Sequence, residues 1–131
     1  MRYRLRRDRM GLAFDLAGYT NRFTARDLRS LWTSLLSCGI LSRSLTETCL
    51  ATHQRLGPNR GYGCGIYKRL DESMLWISGS DAGVGSFSAC HRQLGVVASV
   101  LSNVTDGEEE VRAAVLELLA GMEVDSAPSR G

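Results

Sequence analysis

In 76-WISGSDAGVGSFS-88, glycines at 79, 83 and 85 frame small and polar residues, straight after an alternating apolar run. Three readings compete for such a stretch. A phosphate cradle of the P-loop kind needs GxxxxGK[ST] between a strand and a helix. Here Gly79 and Gly83 are four apart, no lysine follows, and the next residues again read as strand. A dinucleotide fingerprint fails too, because Gly83-Val84-Gly85 lacks the third glycine and the helix. A second reading is a plain turn, with glycine supplying positive φ between two strands. A third is one wall of an active site whose other walls lie elsewhere in the chain. Residue types alone favour the turn.

Composition narrows the setting. The chain has 131 residues, enough for one domain and one core. It is 44% hydrophobic and 23% charged, a globular profile. No apolar run approaches the ~18 residues that a membrane span requires. Net charge is +2, so the chain as a whole is no polyanion binder. Lysine and arginine total 16, yet Lys68 is the only lysine, which leaves little of the side chain that most readily serves as a shiftable base.

The start, MRYRLRRDRMGLAF, carries Arg2, Arg4, Arg6, Arg7 and Arg9 against Asp8. It has no apolar core of signal-peptide length, so a cytoplasmic location is the default expectation. These arginines could form an arm for nucleic acid or an acidic partner. Without aromatic interleaving or a second basic patch, a solvated chain end is the expectation, and nucleic acid is not expected as a partner. The domain reading is an irregular basic segment over 1–22, a folded unit over 23–123 and a tail over 124–131.

Cysteines stand at 38, 49, 64 and 90, without a CxxC pair. Zinc sites show closely spaced ligand pairs, and neither His53 nor His91 completes one. The four are read as reduced small hydrophobes, and no metal or cofactor is expected.

The pattern along the chain sets the element order. Thr24 with Asp27 makes a capping box, and Leu28, Leu31, Trp32, Leu35 and Leu36 follow on one helical face. Gly39 suits the left-handed position that ends the helix. Ser44 is expected to cap a second helix through Leu45, Cys49 and Leu50, stopped by 55-RLGPNRG-61. Period two then takes over in 61–70 and 72–79, with Asp71 at a tight hairpin. Glycines at 61, 63 and 65 suggest close approach of another element. SFSACHRQ (86–93) offers further strand, and LGVVASVLSN (94–103) a valine-rich strand expected to be central. Asp106 is expected to cap a last helix. Its stripe would be Val111, Val115, Leu118, Leu119 and Met122, with Glu108 and Arg112 as an i,i+4 pair. The order α-α-β-β-β-α predicts an α+β fold: an antiparallel sheet of three to four strands packed with helices.

The run 76-WISGSDAGVGSFSACHRQLGVVASVLSN-103 resembles the C-terminal part of the serine β-lactamase and penicillin-binding-protein family. It is most similar to the branch of class C β-lactamases, esterases and D-alanyl-D-alanine carboxypeptidases. That branch has a strand with Lys/His-Thr/Ser/Gly-Gly, a glycine-rich bend, and a second strand ending in Leu-x-Asn. The counterparts here are Ile77-Ser78-Gly79, SDAGVGSFS and Leu101-Ser102-Asn103. FTARDLRSLWTSLLSCGILS resembles the helix before the site, and HQRLGPNRGYGCGIY the Tyr-Gly-x-Gly strand. The resemblance covers roughly 23–121.

The resemblance implies an acyl-serine hydrolase acting on an ester, amide or β-lactam. It assigns Ser78, Gly79 and Ser80 to the wall, with the Ser80 backbone N–H in the oxyanion hole. It also exposes what is missing. A serine hydroxyl needs a neighbouring base, yet no serine here has lysine three residues on, and Gly65 holds that position before Lys68. Ile77 stands where a cation or histidine is expected. Tyr19-Thr20-Asn21 matches the family's Tyr-x-Asn in letters, but lies too near the triad strand in sequence and is read as coincidence.

Other candidates have bland readings. Asp81, Asp71 and Glu72 are turn residues. Cys90 and His91 are adjacent on a strand, so they face opposite sides. His53 is a surface residue, and Glu108–Glu110 a helix-start device. The expectation is a hydrolase-like unit that is inactive alone. The rivals are a non-catalytic module that pairs with another chain, with possible self-association through exposed sheet, and a nucleic-acid module using the arginine arm.

Overall fold

The computed structural model describes residues 24–126. The basic segment 1–22, with Tyr19-Thr20-Asn21, and the end of the tail beyond Ser126 lie outside the described residues. The elements are α1 (Ala25–Leu36), α2 (Arg43–Leu50), β1 (Gln54–Arg55), β2 (Arg60–Tyr62), β3 (Tyr67–Arg69), β4 (Met74–Asp81), β5 (Val84–His91), β6 (Val96–Ser102) and α3 (Glu109–Ser126).

The fold is α+β, as the order of patterns predicts. All six strands pair antiparallel with their sequence neighbours, in the order β1-β2-β3-β4-β5-β6. The sheet has six strands where three to four are expected. The expected strand 61–70 is broken into β2 and β3 because Gly63 and Gly65 bend it. The Gly63 N–H bonds to the Ile66 carbonyl at 2.8 Å, and Gly65 has φ 77°. β1 has two residues, too short to show a period. The valine-rich strand β6 is an edge of the described sheet rather than its centre, since only β5 pairs with it.

α1 forms where its sequence says. The Thr24 hydroxyl accepts from the Asp27 N–H at 3.1 Å, while the Asp27 carboxylate accepts from the Thr24 N–H at 2.8 Å. These bonds pull the Asp27 carboxyl below its usual range. Leu28, Trp32 and Leu35 are buried, but Leu31 is exposed. The left-handed residue after α1 is Cys38, φ 61°, and not Gly39. Gly39 instead sends its N–H back to the Ser34 carbonyl at 2.7 Å. α2 is capped by Ser42, two residues before the expected Ser44, its hydroxyl accepting from Leu45 N–H at 3.3 Å.

Strand alternation splits the core between the two faces of the sheet. On one face Leu75 and Cys90 pack with Trp32 and Leu35 of α1, and Ile77 and Val97 lean on them. On the other, Met74, Phe87 and Ala89 pack with Leu119 of α3, flanked by Trp76, Val100 and Val115. One polar chain crosses the first core. Trp32 Nε1–H donates to Ser88 Oγ at 2.9 Å, and Ser88 Oγ lies 2.7 Å from Ser99 Oγ. It satisfies the indole and both hydroxyls, so their burial carries little penalty.

Candidate functional site

The stretch 76–88 is a β-hairpin. β4 and β5 pair from Met74↔His91 to Asp81↔Val84, leaving Ala82-Gly83 as a two-residue loop. Gly83 sits there at φ 79°, a conformation that only glycine adopts readily. The glycine-rich run is therefore strand on both sides of one tight turn, not a bend.

A two-residue loop makes Asp81 and Val84 the hydrogen-bonded closing pair. In an antiparallel ladder such pairs alternate, so Gly79 and Ile77 also bond to β5. The N–H and C=O of Ser78 and Ser80 then point to the opposite edge. β3 covers that edge only as far as Tyr67↔Trp76. Beyond Trp76, among the described residues, Ile77–Asp81 pair with β5 alone. The chain thus presents Ser78 and Ser80 backbone groups along an open strand edge, and residues 78–80 are exposed.

Side chains sort by the same alternation. Ser78 and Ser80 lie on the α3 face, and Ile77 and Gly79 on the α1 face. Ile77 is half-buried against the Trp32–Leu75 core. It acts as core where a cation or histidine is expected. A Cβ on Gly79 would touch only Ser86 Oγ, at 4.0 Å. Nothing in the described packing therefore demands glycine at 79.

Two bonds strap the hairpin tip to the segment before α3. Ser80 Oγ donates to Asp106 Oδ1 at 2.5 Å, and Asp106 N–H lies 3.2 Å from the same hydroxyl. Gly83 N–H donates to Thr105 Oγ1 at 2.8 Å. Asp106 is thus not the side-chain cap of the last helix. It sits at φ 54° with its carboxylate turned to Ser80, and α3 begins at Glu109. Thr105 and Asp106 hold the tip of this hairpin, a contact that reading Asp106 as a helix cap does not give. The dipeptide Asp106-Gly107 is a turn signal that could have indicated it.

The expected Glu108–Arg112 pair is absent. Glu108 is 2% exposed, against Gly85, and its Oε2 has no hydrogen-bond partner. Arg112 instead reaches Glu109 at 3.5 Å and lies 5.8 Å from the Phe87 ring centroid. Asp106, Glu108 and Glu109 each bring one carboxylate oxygen within 4.8 Å of the others.

The remaining candidates fall away from the hairpin edge. Lys68 is buried; its ammonium donates to the Leu50 carbonyl at 2.6 Å and pairs with Glu72 at 2.6 Å. It is committed to the end of α2 and serves no serine. Cys90 and His91 face opposite sides, as expected; burial pushes the Cys90 thiol up, and His91 Nδ1 accepts from Leu94 N–H at 3.3 Å. His53 is exposed, with Nε2 2.7 Å from the Thr48 carbonyl. Asp81 accepts from Ala82 N–H at 2.7 Å, a turn role. Asp71 accepts from Ser73 N–H and Oγ and from Arg69, which hold its carboxyl down at about 2. A cleft of about 610 Å³ lies on the α3 face, floored by Met74, Trp76 and Phe87 and rimmed by Arg60, Arg69 and Arg112. It does not include Ser78, Gly79 or Ser80. No helix among the described residues is long and apolar enough to cross a membrane.

No protein-family profile and no curated protein matches the chain. Among solved structures, it is similar to a penicillin-binding protein from Bacillus halodurans, with a TM-score of 0.67 and 28% sequence identity. The match covers 72% of this chain and 30% of that one. The chain therefore has a penicillin-binding-protein-like fold and spans about 30% of the length of the protein it matches.

Proposed function

We propose that the chain supplies the strand wall of an acyl-serine hydrolase site of the class C β-lactamase, esterase and carboxypeptidase kind. The observation that carries this reading is the open edge of β4, where Ser78 and Ser80 turn their backbone groups outward beyond the end of β3. An oxyanion needs preorganised N–H donors, each worth ~3 kcal/mol of barrier. The Ser80–Asp106 bond holds one such donor in place. The matching substrates are esters, amides or β-lactams, and their carbonyl would dock against this edge.

On its own the chain lacks the rest of the chemistry. No serine has a lysine three residues on, and Lys68 is bound to Leu50 and Glu72. An oxyanion donor lowers a barrier only where a nucleophile generates the oxyanion. We expect these 131 residues to turn over neither nitrocefin nor p-nitrophenyl esters above the rate of buffer. Ser78→Ala and Ser80→Ala are the controls. Turnover that vanishes in either variant would refute the inactivity, and would place a nucleophile on this strand.

The second reading is a non-catalytic module that pairs with another chain. Ile77 favours it, since an apolar core residue at the triad's first position removes the charge that a hydrolase uses there. Acylation supplied by a Ser-x-x-Lys polypeptide mixed with this chain separates the two. Labelling by a fluorescent penicillin only in the mixture supports the hydrolase wall. Complex formation without labelling supports the module.

A further inference from the structure

We propose that Cys49 and Cys64 form a reversible disulfide that ties the end of α2 to the β2–β3 turn. The two residues are far apart in sequence, but the fold sets them side by side. Cys64 N–H donates to the Cys49 carbonyl at 3.0 Å. Standard bond lengths then hold their Cα atoms within about 6.9 Å, at the edge of or inside the span that disulfides bridge. Gly63 makes the approach possible, because a side chain there would collide with the carbonyls of Cys49 and Ala51.

The side chains act on each other as well: burial pushes the Cys49 thiol up, and the neighbouring Cys64 thiol raises it further. Exposure divides the labour between them. Cys64 is exposed and open to an oxidant, while Cys49 is half-buried. Cys90, by contrast, is 5% exposed in the core.

The chemistry is thiol–disulfide exchange with a small disulfide such as oxidised glutathione. The Cys64 thiolate attacks one glutathione sulfur, and the S–S bond breaks to release a glutathione thiolate. The Cys49 thiolate then attacks the Cys64 sulfur and releases the second glutathione. Two protein thiols are oxidised, one glutathione disulfide is reduced, and the two thiol protons end on the two released glutathiones.

The test incubates the 131-residue chain with excess oxidised glutathione at about pH 8, where thiolate forms. The intact mass is expected to fall by two hydrogens. Trypsin should release Ser44–Arg55 joined to Gly61–Lys68, and dithiothreitol should separate them. The melting temperature should rise by a few degrees on oxidation, because the link restricts the unfolded chain. Cys49→Ser should stop at a glutathione adduct on Cys64, and Cys38→Ser should still form the link. A wild-type chain that keeps a glutathione on Cys64 without forming the joined peptide would overturn the proposal. So would a chain that forms the joined peptide no faster than a Cys38 cross-link.

Discussion

Asp71 is a single residue with a measurable contribution to stability. Its Oδ1 accepts from the Ser73 N–H and hydroxyl and its Oδ2 from Arg69, closing the turn between β3 and β4. These bonds, led by Ser73, hold its carboxyl at about 2, below the ordinary aspartate value of 3.8. A depressed carboxyl stabilises the fold above the unfolded value and loses that contribution as pH falls through the folded one. The side chain is 53% exposed, so screening cuts the effect to about 1 kcal/mol or less. Urea midpoints should therefore hold steady above about pH 4 and drop between about 4 and 2. Asp71→Asn should lower the midpoint at neutral pH and flatten that part of the profile. A variant with the wild-type acid slope would show that other carboxyls set it. The turn itself was legible, since Asp at this spacing between alternating runs marks a hairpin. The positive φ of 65° at Glu72 was not, because it follows from how the chain closes between strands.

At the scale of elements, what is local could be read and what is tertiary could not. The α1 capping box depends on residues three apart, and both of its bonds form as the sequence implies. The last helix shows the opposite. Val111, Val115, Leu118, Leu119 and Met122 look like one stripe, yet Val111, Leu118 and Met122 are exposed. The inward face runs through Glu108, Arg112, Val115 and Leu119, at helical spacing, and two of its four members are charged. No pattern of apolar residues reveals a glutamate buried against Gly85. The motif singles out Ser78, Gly79 and Ser80 as candidates, whereas the Asp106 strap on Ser80 depends on a loop 26 residues away. The glycines divide the same way, and their substitution tests it. Gly63→Ala drives a Cβ into two backbone carbonyls and should cost more than 2 kcal/mol. Gly79→Ala meets only Ser86 Oγ at 4.0 Å and should stay within ~0.5 kcal/mol of wild type. Thermal melts of the two variants measure both. A destabilised Gly79→Ala would mean that the described packing does require that glycine.

The whole molecule raises the question of its edges. Among the described residues β6 pairs only with β5, so one side of Val96–Ser102 presents unpaired backbone groups. Its sequence, VVASVLS, holds no charge and no proline, the devices that keep an edge from pairing with another chain. The free part of β4 is a weaker template, since Ser78, Gly79, Ser80 and Asp81 give it a polar character. Exposed Leu101, Val104 and Leu118 add apolar surface around the fold. The expected outcome is concentration-dependent association in size-exclusion chromatography, with binding of a hydrophobic dye. Leu101 is 44% exposed, so Leu101→Lys places a charge on the β6 edge without opening the core. It should shift the protein towards monomer with no loss of melting temperature. Ser78→Pro is the matched control. Ladder alternation points the Ser78 N–H away from β5, so proline there removes no bond of the β4–β5 pair and blocks only the β4 edge. If Ser78→Pro disperses the assembly and Leu101→Lys does not, association runs through β4, and the same edge that presents Ser78 and Ser80 is the one that pairs. A dye-silent wild-type monomer at all concentrations would instead mean that neither edge recruits a second chain.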